Sequence, residues 1–183
     1  PMENTTEEDM KIAFQTNFYG PISAIKECIP SMRKNGSGLI INITSIMGYF
    51  ALPYRGVYSA TKSSLETIGE AFSMELKKFN IRVVNIAPGD FKTDIISRRL
   101  NSTAETNSIY EEDYIKSLKS ANDHVLNALS PIIISKLVLK IIKSKNPKIH
   151  YKVGTFIQKF SIILKRILPD RFFENILLYY NKL

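Results

Sequence analysis

The stretch from Leu39 to Lys62, LIINITSIMGYFALPYRGVYSATK, constrains the fold more than any other part of the chain. It begins as an apolar run, Leu39 to Ile43, suited to a strand buried on both faces of a parallel sheet, and it delivers Thr44 and Ser45 at the strand's carboxyl end. Ligands of open α/β sheets bind at that end. A turn-rich stretch then leads into a helix carrying Tyr58 and Lys62. Their spacing of four residues puts the phenol and the ammonium on one helical face, opposite the strand-end hydroxyl.

Such a trio suits proton transfer coupled to hydride transfer at a carbonyl or alcohol carbon. A tyrosine with a pKa of about 10 is a poor base at neutral pH, but a fixed ammonium nearby favours the phenolate. Tyr58 can then exchange a proton with a substrate oxygen that Ser45 holds by a hydrogen bond. A bare YxxxK pair also occurs on solvated helix faces. Here the strand end NITS, twelve residues between Ser45 and Tyr58, and the flanking YSATKSSLE agree. Together they resemble the active-site signature of the short-chain dehydrogenase/reductase family.

The resemblance implies a Rossmann-like, doubly wound parallel sheet in three α/β/α layers, with NAD or NADP as cofactor. It also implies roles for residues that spacing alone does not assign. Asn17, in QTNFYG, matches a fourth active-site residue that holds a water in the proton relay to the lysine; otherwise it is a helix-surface or kink-satisfying asparagine. Lys62, with Tyr58, would also contact the nicotinamide ribose. After a second apolar run, Ile81 to Ala87, the segment Pro88, Gly89, Asp90, Phe91, Lys92, Thr93 matches the turn beside the nicotinamide. There Pro88, Gly89 and Phe91 would supply the turn's contacts, and Thr93 would bond the carboxamide or serve as a helix cap. The pattern LETIGEAFSMEL and the long tail are nearest the hydroxysteroid and retinol dehydrogenase branch. The family also implies a homo-oligomer built through the helix from about Glu7 and the helix carrying Tyr58.

The resemblance runs from about Thr5 and covers only the later part of such a domain. No glycine-rich turn that could cradle a pyrophosphate is present among the eight glycines. The expectation is a single domain, residues 1–183, that lacks the first four strands. Two readings follow: an oxidoreductase interconverting a secondary alcohol and a ketone or aldehyde on a small or lipid-like substrate, or a truncated, non-catalytic remnant serving as an interaction module.

The remaining elements fill in around this site. Thr5 and Glu8 make a capping box opening a helix towards Arg33, with a break expected near Tyr19 because Gly20 and Pro21 follow. Residues 94–130 are polar and irregular, and there the resemblance implies a substrate-binding loop or lid with short helices. His124 and His150 lack a paired carboxylate in sequence and read as surface residues. Pro131 opens another helix, and Ile149 to Val153 is the last strand. Cys28 is the only cysteine, which excludes an intrachain disulfide and a multi-cysteine metal site; it reads as a small buried residue, and no metal is expected.

Charge is concentrated at the tail. Residues 135–183 hold eleven Lys or Arg against two acidic residues, whereas the preceding residues hold fourteen against fifteen. Within residues 155–183, FIQKFSIILKRIL is amphipathic at helical spacing. It can pack over the substrate pocket or a subunit partner, or lie on an anionic membrane as a peripheral contact. Nucleic acid is not expected, because the tail is too apolar and matches no recognition module. With no signal-peptide pattern at Pro1 and no membrane-length apolar run, a cytoplasmic protein, membrane-associated at most, is expected.

Overall fold

The computed structural model describes residues 1–98 and 109–183. Three parallel strands form one sheet in the order β1 (Gly38–Ile43), β2 (Ile81–Pro88), β3 (His150–Val153). Gly38 pairs with Ile81 and Ile43 with Ile86, so the two apolar runs lie side by side along their whole length, and Asn85 to Pro88 then pair with His150 to Val153. β2 is central, and every residue from Val83 to Ala87 is buried. β1 is an edge of this sheet, and Ile43 stands 44% exposed.

Helices cover both faces. α2 (Gly20–Lys34) and α3 (Gly56–Leu76) bury Ile25 and Leu76 against Ile40, Ile81 and Val83, with Ile29, Met32, Phe72 and Phe79 around them. On the other face α6 (Ile132–Lys143) sets Ile141 against Val84 and Ile86. Each such aliphatic side chain contributes about 1.5–3 kcal/mol of transfer free energy. The layering is the three-layer α/β/α arrangement of a doubly wound sheet.

The first helix, α1 (Glu7–Phe14), starts one residue later than the sequence suggests. Thr6, not Thr5, is its cap: the Thr6 hydroxyl accepts the Asp9 N–H at 3.1 Å, while the Thr5 hydroxyl donates to Pro1 O at 2.8 Å. The expected break is a π turn over Gln15–Tyr19. Pro21 has no N–H for the carbonyl of Asn17 four residues back, so the chain widens by one residue there and resumes as α2 with proline in its first turn.

One expectation needs correction. Cys28 is exposed: α2 packs Ile25, Ile29 and Met32 against the sheet, and the cysteine stands on the flank of that stripe, outside the packed core. The segment expected to carry a substrate loop with short helices contains α4 (Ile95–Arg98) and a sixteen-residue helix, α5 (Glu111–Leu126). Acidic residues in the first turn of α5 and the 2.7 Å Glu112–Lys116 pair support it, while Ser117, Ser120, Ala121 and Val125 form its buried stripe. Residues 99–108 of that segment lie outside the described residues. The tail folds as α7 (Phe156–Ile167) and α8 (Asp170–Tyr180), and among the described residues no helix is long and apolar enough to cross a membrane.

Candidate active site

β1 ends at the site. Thr44 and Ser45 follow it, and their hydroxyls divide into two duties. Thr44 Oγ1 donates to Ile86 O at 3.0 Å and fastens the strand end to β2. Ser45 Oγ accepts the Met47 N–H at 3.1 Å, starting a short turn over Ile46–Gly48 and leaving its own O–H to donate. Gly48 brings that turn against α3: a Cβ there would stand 3.1 Å from the Lys62 carbonyl oxygen.

α3 opens at Gly56 and carries Tyr58 and Lys62 on its first turns. Lys62 Nζ lies 5.9 Å from the centroid of the Tyr58 ring and donates to Ile43 O at 3.0 Å. The lysine is half-buried, and this burial pushes its ammonium below the usual lysine range. Asn17 reaches the same helix from the π turn: its Nδ2 donates to Thr61 Oγ1 at 3.3 Å, and that hydroxyl donates to Tyr58 O at 2.8 Å. The irregularity forced by Pro21 therefore carries the asparagine that contacts the Tyr58 helix.

β2 delivers the third part. The Gly89 N–H donates to Val153 O at 2.7 Å, Phe91 is buried and bridges to Leu129, and Thr93 Oγ1 donates to Phe91 O at 3.4 Å. One cavity of about 780 Å³ is lined by Asn17, Ser45, Tyr58, Lys62, Pro88, Gly89, Phe91 and Thr93, so all the candidate site residues of the sequence meet there. Its far walls are apolar and come from the tail: Phe160 and Leu164 of α7, Phe173, Ile176 and Leu177 of α8. The tail thus packs over the pocket, one of the three placements its amphipathic pattern allowed. The outward side of α7 still exposes Phe156, Ile163 and Ile167.

Several cavity residues are not legible in the sequence. His124, read as a surface residue, is half-buried, lines the cavity and stacks on Tyr180 with ring centroids 4.8 Å apart. Burial, and then the Asp90 carboxylate, push the Tyr180 phenol above its usual range. Asp90, Arg55 and Gln158 line the same space. Gln158 had a signal: Thr155 and Gln158 form a complete capping box, recognisable as threonine and glutamine three residues apart.

His150 is also misread as an unpaired surface residue. β3 sets it between two carboxylates of α3, with Nδ1 2.7 Å from Glu66 Oε1 and Nε2 3.3 Å from Glu70 Oε1. Glu66 is buried and also accepts the Tyr49 hydroxyl at 2.6 Å. Burial, and then Glu66, push that phenol well above its usual range. Among the described residues no group of three His, Cys, Asp or Glu could hold a metal ion.

The family model described as short chain dehydrogenase matches residues 1–104, more than half of the chain. A 3-ketodihydrosphingosine reductase of Bacteroides thetaiotaomicron is 35% identical over 174 residues, which make up 94% of this chain and 65% of that protein. The chain therefore spans less than two thirds of that relative's length. A short-chain dehydrogenase from Streptomyces avermitilis superposes with a TM-score of 0.76 at 23% identity, covering 98% of this chain and 64% of that one. Another, from Burkholderia cenocepacia and in complex with NADP, gives 0.62 at 20% identity, covering 94% and 62%. These two structures share the parallel-sheet fold.

Proposed function

The chain belongs to the short-chain dehydrogenase family, and from that premise we propose that the complete protein is an NAD(P)-dependent oxidoreductase interconverting a secondary alcohol and a ketone on a lipid-like substrate. The observation that carries this reading is the convergence of Ser45, Tyr58 and Lys62 with the Pro88–Gly89 turn on one cavity. The residues present suit a nicotinamide. Gly89 brings backbone without a side chain to the cavity, and Lys62 offers a half-buried ammonium. Tyr58, Lys62, Pro88, Gly89, Phe91 and Thr93 would hold the nicotinamide half, which when bound supplies or accepts the hydride.

The chain's own residues handle the substrate oxygen. In the direction of reduction the Ser45 O–H donates to the carbonyl oxygen and stabilises the charge that develops on it. The Tyr58 hydroxyl gives its proton to that oxygen. The Lys62 ammonium stabilises the phenolate left behind, and its anchor on Ile43 O fixes the ammonium beside the ring. Asn17, tied to Thr61 one residue before the lysine, would hold a water through which a proton returns to Lys62. In the direction of oxidation the same steps run in reverse.

Substrate class follows from the far walls. Phe160, Leu164, Phe173, Ile176 and Leu177 would remove an alkyl chain from water, and the relative named for 3-ketodihydrosphingosine acts on a ketone. The test is oxidation of NADPH and NADH by the complete protein against methyl ketones of increasing length. We expect kcat/KM to rise about fourfold per methylene until the wall is filled. No nicotinamide oxidation with any member of the series, and no reduction of NADP or NAD by the matching secondary alcohols, would reject the reading.

A further inference from the structure

One side chain joins the turn after β2 to the start of α7. Gln158 Nε2 donates to Asp90 Oδ2 at 2.7 Å, while Gln158 Oε1 accepts the Thr155 N–H at 3.0 Å. The same amide occupies space left by two glycines. A Cβ on Gly89 would collide with Gln158 Oε1, and one on Gly154 would stand 2.7 Å from it. With the Gly89 N–H bonded to Val153 O, the turn, the end of β3 and the first turn of α7 interlock around one amide.

The parts so joined both line the cavity. Pro88 and Gly89 line it from the turn, and beyond Gln158 the helix continues as wall through Phe160 and Leu164. Asp90 also acts on Tyr180 of α8, the residue on which His124 stacks. A primary amide donating to a carboxylate is a charge-assisted bond, stronger than a neutral one and directional.

We infer that Gln158 is a positioning residue whose amide holds the Pro88–Asp90 turn and the α7–α8 wall at one fixed spacing. The assignment of the turn to the nicotinamide side and of the wall to the substrate side rests on the oxidoreductase reading; the tie rests on the geometry. Gln158→Glu would set two carboxylates face to face while keeping the acceptor for Thr155. Adding Asp90→Asn exchanges donor and acceptor: position 90 then carries the amide and position 158 the carboxylate, so the tie is restored at unchanged net charge.

The experiment compares the complete protein with D90N, Q158E and D90N/Q158E. It measures the Kd of NADPH and NADH by fluorescence titration, and kcat and KM for methyl nonyl ketone. For Q158E we expect Kd and KM each to rise about tenfold with saturated kcat within about twofold of wild type, and for the double variant a return of both to within about twofold of wild type. Gln158→Ala, which removes the bond without adding charge, serves where Q158E does not fold and should weaken binding by about threefold or more. Unchanged binding in both Q158E and Q158A overturns the inference. So does a double variant no better than Q158E. A wild type that binds dinucleotide but turns over no ketone rejects the oxidoreductase reading instead, and rescue or its absence in the titration still decides the tie.

Discussion

Lys62 bears two demands that oppose each other. The proposed reaction asks for an ammonium beside Tyr58, while burial penalises that charge and lowers its pKa. In the folded chain the neutral form is favoured relative to the unfolded chain. The penalty is therefore full at neutral pH and is relieved as pH rises towards the ordinary lysine value of about 10.4. Lys62→Met should leave the thermal midpoint unchanged or higher at pH 7 and flatten its rise with pH, while turnover falls at least about a hundredfold. A midpoint that drops sharply would show the lysine to be structural instead. Ser45, Tyr58 and Lys62 are readable in the sequence because strand ends and helix pitch are local geometry. His150 is not, because Glu66 lies 84 positions away and only β3 brings the two together.

At the scale of elements, α3 does more than carry the phenol and the ammonium. One turn beyond Lys62 it presents Glu66 to Tyr49 and His150, and the Glu66 carbonyl accepts Asn85 Nδ2 at 2.8 Å, so the helix is fastened to β2 and β3 through polar groups. The strands and α3 are legible because a continuous apolar run and a 3.6-residue period leave little choice. α5 is not, since its buried stripe consists largely of Ser117, Ser120 and Ala121, too small and polar to register as a core face. The first cap is missed by one residue because Thr5–Glu8 and Thr6–Asp9 both look like caps, and only the structure separates their partners. On their outer sides α1, the π turn and α3 leave Ile12, Tyr19 and Met74 exposed by 40%, 54% and 71%. We propose that these helices pair with their symmetry mates in the complete protein. Light scattering at micromolar concentration should give a mass at least twice that of the chain; a monomer mass would count against the pairing.

At the scale of the whole molecule, strand ends, a helix and the tail all converge on one cavity. Sequence located Ser45, Tyr58 and Lys62 in it but not its apolar wall. An amphipathic tail specifies that something apolar must be covered, and leaves open whether that is a pocket, a partner or a membrane. Only the fold shows α7 and α8 covering the cavity beside Tyr58. The central claim is that the Tyr58 hydroxyl passes the proton at this site, while dinucleotide affinity is shared among Tyr58, Lys62 and the Pro88–Thr93 segment and does not hang on that one hydroxyl. The direct measurement is Tyr58→Phe in the complete protein, comparing steady-state turnover of a long-chain methyl ketone with the Kd of NADPH and NADH from fluorescence titration. Removing the hydroxyl should cost about a hundredfold to ten-thousandfold in kcat and leave the Kd within about threefold of wild type. A phenylalanine variant that turns over at near wild-type rates would contradict the account.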